Sequence, residues 1–185
     1  METTFLDNID KERLNQKFEN TDNNVEAFQD ICTKLVGYYA NDLDELMLQV
    51  KEDVVDVEDV DTNTIEKYFL KLTNHLYFMG VQVETLGVYD DLSEISAKEE
   101  YNKTFIDSQG IAPNDTKSKV TVAERQAIAE ETAKYGFTVN SIYNRAYKII
   151  KFKIESAQEM VKTLSKVLSK RMVETQMDLT NKGRI

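Results

Sequence analysis

The sequence predicts an all-α protein: three long helices plus a short one, forming a helical bundle or a coiled-coil-like oligomer. Two heptad-spaced apolar stripes, seven and eight positions long, carry that expectation. A shortage of turn-formers supports it, since one Pro and six Gly in 185 residues are too few for a many-stranded β fold. With 41% hydrophobic and 30% charged residues the chain reads as neither disordered nor membrane-embedded, and its length suits one domain with one sizeable core.

Residues 1–23 read as a polar arm with a short apolar pattern, Ile9, Leu14 and Phe18. From Asn24 to about Val57 the residues Phe28, Cys32, Leu35, Tyr39, Leu43, Leu46, Val50 and Val54 recur at three- and four-residue steps, which is one face of a helix. Residues 52–61 then carry six acids and no base, the composition of a solvated helix end or connector. Within them Asp59, Asp61 and Asn63 imitate the opening of an EF-hand loop. The imitation fails at Thr64, where the turn needs Gly, and at Leu70, where calcium needs a bidentate Glu.

Asn63 followed by Glu66 has the form of a reciprocally capped helix start. The stripe Ile65, Phe69, Leu72, Leu76, Met79, Val83 and Leu86 follows, and the helical pattern persists weakly to Phe105, which closes an acidic helical part at 24–106. Gly80 and Gly87 share a face and point to a close backbone approach or a bend. Residues 107–120, with Gly110 and the only Pro, Pro113, form the linker. The basic helical part, 121–185, opens with a capping box at Thr121 and Glu124, and Gly136 is placed to end a short helix over 122–135. The last helix spans about Asn140 to Asp178 on the stripe Tyr143, Tyr147, Ile150, Ile154, Ala157, Val161, Leu164 and Leu168. Stripes of this kind favour an antiparallel pair, a bundle, or a subunit that oligomerises through one of them.

Charge divides along the same line. Residues 1–116 hold 9 basic and 26 acidic side chains, whereas residues 117–185 hold 14 and 7. Such asymmetry means an anionic partner for the basic part, or pairing of the two parts with each other. Enzyme chemistry finds little footing: no phosphate-cradling glycine loop, zinc-binding His pair or nucleophile elbow occurs. His75 is the only histidine and has no acid three residues away, and Cys32 falls on an apolar stripe. A nonenzymatic protein without metal or other cofactor is expected. The amino terminus lacks the basic and apolar regions of a signal peptide, and no apolar run approaches ~18 residues, so a cytoplasmic protein is expected.

The last helix carries the candidate site. At ~100° per residue, Lys148 and Lys166 mark the centre of a basic row, with Arg145, Lys151, Lys162 and Lys170 within about 60° on either side, opposite the apolar stripe. Glu155 and Glu159 interrupt it at spacings that support the helix. Phe152 sits inside the row. An aromatic among cations suits single-stranded nucleic acid, because cations neutralise phosphates while the ring stacks on a base at ~1–3 kcal/mol. The same positions are also compatible with a solvated basic face and with Phe152 packing on a second neighbour.

With a long helix at 64–106, a loop, a Thr-Val-initiated segment and the closing run Ala-Gln-Glu-Met-Val-Lys-Thr-Leu-Ser-Lys-Val-Leu-Ser-Lys-Arg-Met at 157–172, the chain resembles the small UvsY-type recombination mediators of tailed phages over about residues 64–175. The resemblance is one of layout and helix texture. It implies a helical homo-oligomer in the host cytoplasm that binds single-stranded DNA and helps load a recombinase in place of a single-strand-binding protein. The competing expectation is a structural or assembly protein whose heptad helices oligomerise and whose charge halves pair between subunits. A weaker one is an acidic inhibitor mimicking DNA through residues 42–61.

Overall fold

The structure, a computed structural model, describes residues 21–54, 59–110 and 120–182. Most of the expected arm (1–20), residues 55–58 of the acidic connector and residues 111–119 of the linker, with Pro113, lie outside the described residues. Three helices account for nearly all the rest: α1 (Thr21–Asp53), α2 (Thr62–Asp107) and α3 (Val122–Lys182), with a 3-10 turn at Ser108–Gly110 after α2. No strand occurs among the described residues, so the protein is all-α.

Helix starts are fixed by local side chains. Asp61 caps α2, its Oδ1 accepting from the backbone N–H groups of Asn63 at 2.7 Å and Thr64 at 3.2 Å. The sequence places this start at Asn63 and Glu66; the structure moves the cap two residues earlier. A carboxylate is an equally good cap and adds negative charge at the positive end of the helix dipole. At α3 the capping box forms as expected. Thr121 N and Oγ1 donate to Glu124 Oε2 at 2.8 and 2.9 Å, and Glu124 N donates to Thr121 Oγ1 at 3.3 Å.

Gly136 does not end a helix. The short helix over 122–135 and the long one after Asn140 are one continuous helix of 61 residues. A Cβ on Gly136 would lie 3.0 Å from Ala97 Cβ and 3.2 Å from Ala97 Cα. The glycine therefore permits close helix–helix approach, which offsets its ~1 kcal/mol helix penalty against Ala. Gly87 faces the Tyr147 ring in the same way at 3.3 Å, while Gly80 meets nothing within 4 Å.

The chain resolves into two compact units, Met1–Leu35 with Glu84–Tyr147 and Val36–Val83 with Lys148–Ile185. Each draws on all three helices. In the first unit α2 and α3 run antiparallel. Tyr89 stacks on Tyr143 at 5.8 Å, and Asn140 Nδ2 donates to the backbone and side-chain oxygens of Asp90 at 3.0 Å. Asn144 Nδ2 donates to the other Asp90 oxygen at 2.7 Å. Near the end of α2, Arg125 Nε and Nη2 donate to the Phe105 carbonyl at 3.0 and 2.7 Å while the guanidinium covers the Phe105 ring. That carbonyl is one of the last-turn acceptors a helix leaves unpaired.

The second unit is built on larger aliphatic side chains. Leu43 and Val50 of α1, Ile65, Leu72 and Met79 of α2, and Ile150 and Leu164 of α3 are buried. At its edges Tyr68 donates to Asp53, Lys153 Nζ to Asp44 at 2.6 Å, and Arg171 Nη1 to Thr62 Oγ1 at 3.0 Å. The stripe positions read from the sequence are buried or half-buried throughout α2 and α3, so each unit consumes them within the chain. A seam for oligomerisation is not among them.

Candidate nucleic-acid interface

α3 positions the basic row by its own periodicity. Ile150, Ala157 and Leu164 are held in the core of the second unit, which forces residues about half a turn away to point outward. Lys148, Lys151, Lys162, Lys166 and Lys170 are accordingly exposed, and all belong to the second unit. Arg145 is also exposed but belongs to the first unit, where its charge acts on Cys32. Between Lys148 and Lys166 the helix rises by about 27 Å, so the second-unit cations form a line rather than a cluster.

Phe152 lies in that line and is 70% exposed. Its ring is therefore not packed into the core of its own unit, which removes packing within the unit as the reason for an aromatic at this position. An aromatic left this open next to Lys148 and Lys151 is available to stack on a partner.

Lys162 and Lys170 are only lightly committed within the chain. Lys162 pairs with Glu159 at 2.6 Å and Lys170 with Glu174 at 3.7 Å, both exposed and along the same helix. Exposed pairs of this kind contribute little and yield readily to a competing phosphate. The hydrogen bond from Lys162, then its charge and that of Lys166, hold the Glu159 carboxyl below its usual range, a sign of positive potential around it. Among the described residues, Lys148 and Lys166 have no ion-pair partner.

Pairing between acidic and basic parts is visible at Lys153 and Asp44, which join α3 to α1. Other ion pairs, such as Lys34 with Asp30 and Lys98 with Glu94, are internal to one helix. Sequence reasoning passed over Lys153 and Arg171, both of which bridge to other helices. Their wheel positions beside the apolar stripe, rather than opposite it, are the signal that marks them as bridging cations. It also passed over Asn140 and Asn144, whose shared face four residues apart marks a polar contact.

The remaining candidates are structural. Cys32 is buried, and burial pushes its thiol up, against the lowering effect of Arg145. His75 is half-buried, with Nε2 enclosed and without a hydrogen-bond partner among the described residues. Among those residues no three His, Cys, Asp or Glu side chains converge as a metal site, and the Asp61 carboxylate is committed to its helix cap. No described helix is long and apolar enough to cross a membrane. No protein-family profile, no curated protein and no solved structure matches this chain.

Proposed function

We propose that this protein is a nonenzymatic, cytoplasmic accessory factor that binds single-stranded DNA along α3, in the manner of the phage recombination mediators its layout resembles. The observation that carries the reading is Phe152, open to solvent within a line of exposed lysines on a helix whose apolar face is already used. Lys148, Lys151, Lys162, Lys166 and Lys170 contact phosphates, Phe152 stacks on a base, and Arg145 adds to the positive field. A recombinase or a single-strand-binding protein is the protein partner this role requires. The acidic side chains of α1 repel the polynucleotide, which leaves the basic row of α3 as its contact.

The test is anisotropy of labelled oligo-dT with increasing salt. About five neutralised phosphates at ~0.7 each give a log-log slope near -3.5, and each Lys→Ala change flattens it by somewhat under one. Phe152→Ala weakens binding without altering the slope. Absence of binding at low salt removes this function and leaves an assembly protein, the reading favoured by the apolar side chains exposed on α2.

A further inference from the structure

Within the second unit α1 buries Ala40, Leu43 and Val50, and α2 buries Ile65, Leu72 and Met79. A helix with one packing face is polar opposite its core. On this part of α2 the opposite face is apolar and basic instead. At ~100° per residue, Lys67, Leu70, Lys71, Tyr77, Phe78 and Val81 lie within about 60° of a line through Asn74. All are exposed, Tyr77 at 74% and Phe78 at 68%, and the face holds two bases and no acid. The matching outer face of α1 lies within about 60° of Glu45. It holds Asp42, Glu45 and Glu52 and no base, with Tyr38 and Leu48 exposed among them. Among the described residues none of these charges forms an ion pair. A helix carrying a second apolar face has a second partner.

We infer that the outer face of α1 in the second unit of one copy of the chain packs antiparallel on the outer face of α2 in the second unit of another copy. Charge selects this occupant. Pairing α1 with α1 would set acids against acids, and pairing α2 with α2 would set lysines against lysines, whereas α1 on α2 sets unlike charges together. Both faces belong to one unit, so a twofold axis satisfies two such contacts at once, α1 on α2 and α2 on α1.

Spacing supplies register and direction. Tyr38, Glu45 and Glu52 step by seven along α1, and Lys67, Asn74 and Val81 step by seven along α2. Laid antiparallel, Tyr38 meets Val81, Glu45 meets Asn74 and Glu52 meets Lys67. One flank then sets Leu48 beside Leu70, and the other carries Asp42 on α1 with Lys71 and Phe78 on α2. A parallel pair would instead set Glu52 against Val81 and Tyr38 against Lys67. A polynucleotide suits the α2 face less well, because the branched side chains of Leu70 and Val81 need apolar cover that a phosphate backbone does not supply.

Sedimentation of the full chain at micromolar concentration tests the inference. The wild type sediments as a dimer or a larger assembly. Glu45→Lys with Glu52→Lys at least halves the mass with helix content retained, and so, separately, does Lys67→Glu with Lys71→Glu, because each pair of changes leaves like charges on both faces. A one-to-one mixture of these two variants restores the wild-type mass, since each supplies the charge the other lacks. A monomeric wild type, unchanged mass in both variants, or a mixture that stays dissociated overturns the proposal. Loss of oligo-dT binding by the Lys67→Glu, Lys71→Glu chain at unchanged mass would put a polynucleotide on this face and overturn it too. Under mild oxidation Tyr38→Cys crosslinks with Val81→Cys; crosslinking with Lys67→Cys instead would mean a parallel pair and count against it equally.

Discussion

The two units reach stability by different means. The core of the first combines Leu35, Leu86, Ile142 and Tyr143 with a set of small side chains, Ala97, Ala129, Ala133 and Ala146, with Gly136 against Ala97, and its helices are tied by Asp90 to Asn140 and Asn144. The core of the second is mostly Leu, Ile, Val and Met, with Ala40 and Ala157 among them and polar contacts at its edge. Burying an alanine methyl contributes far less than burying a leucine, at ~25 cal/mol per Å². The first unit adds close approach and directional bonds, which fix register, whereas the second relies more on volume.

Volume is the more expensive thing to remove. Leu72 in the second unit is fully buried, so Leu72→Ala should cost ~2–5 kcal/mol, measured by urea unfolding. Cys32 gives a second reading from the first unit, because its buried thiol labels only on opening. All three helices contribute to both units, so Leu72→Ala should speed Cys32 labelling about tenfold per ~1.4 kcal/mol lost. An unchanged labelling rate would mean that the units open independently.

Removing space rather than volume should damage the first unit. Gly136→Val places branched atoms against the Ala97 backbone and should cost ~1–3 kcal/mol, even though valine is the better helix former. A Cβ at Gly80 in the second unit meets no neighbour within 4 Å, so Gly80→Val should be neutral or stabilising. Equal destabilisation of both variants would show that helix propensity, not contact, decides these positions.

This pair also shows what the sequence could and could not convey. The apolar stripes are legible because burial repeats with the helical period, so Ile65, Leu72, Ile150 and Leu164 are identified from spacing alone. The continuity of α3 is not, because glycine at 136 serves equally as a helix end and as a close-contact residue. Only the position of Ala97, 39 residues away, separates the two roles. In the candidate site, the outward row on α3 is legible as the complement of its stripe. The caps divide similarly: Thr121 with Glu124 is a two-residue signal, whereas Asp61 and Asn63 are competing caps that only geometry ranks.

Alkaline pH should discriminate the edge contacts of the second unit. The hydrogen bond from Tyr68 to Asp53, followed by burial and the charges of Asp53 and Glu52, pushes the Tyr68 phenol up. The folded state thus holds this proton more tightly than the unfolded chain. The resulting stability is present below the unfolded value of ~10 and is lost as pH rises through the folded one. Tyr68→Phe should lower stability by ~1 kcal/mol at neutral pH. The gap to wild type should close above pH ~10, seen as converging melting temperatures. In the first unit, burial pushes the Tyr135 phenol up.

Acid should affect both units alike and least of all. Asp61 at the start of α2 is held down by its bonds from the Thr64 hydroxyl and the Asn63 and Thr64 amides, and Glu124 at the start of α3 by its bonds from Thr121. Both folded values are depressed, so the stabilisation is present above the unfolded carboxylate range, ~4, and is lost as pH falls through the folded values. Both groups are exposed, and only the first turn of a helix depends on each. Asp61→Asn retains a neutral cap and Glu124→Gln retains the box. Each variant should therefore show a slightly lower melting temperature than wild type at pH 7, and the difference should narrow as pH falls below ~4 through the folded values. A deficit that does not narrow in acid would show that cap shape, not carboxylate charge, holds these helix starts.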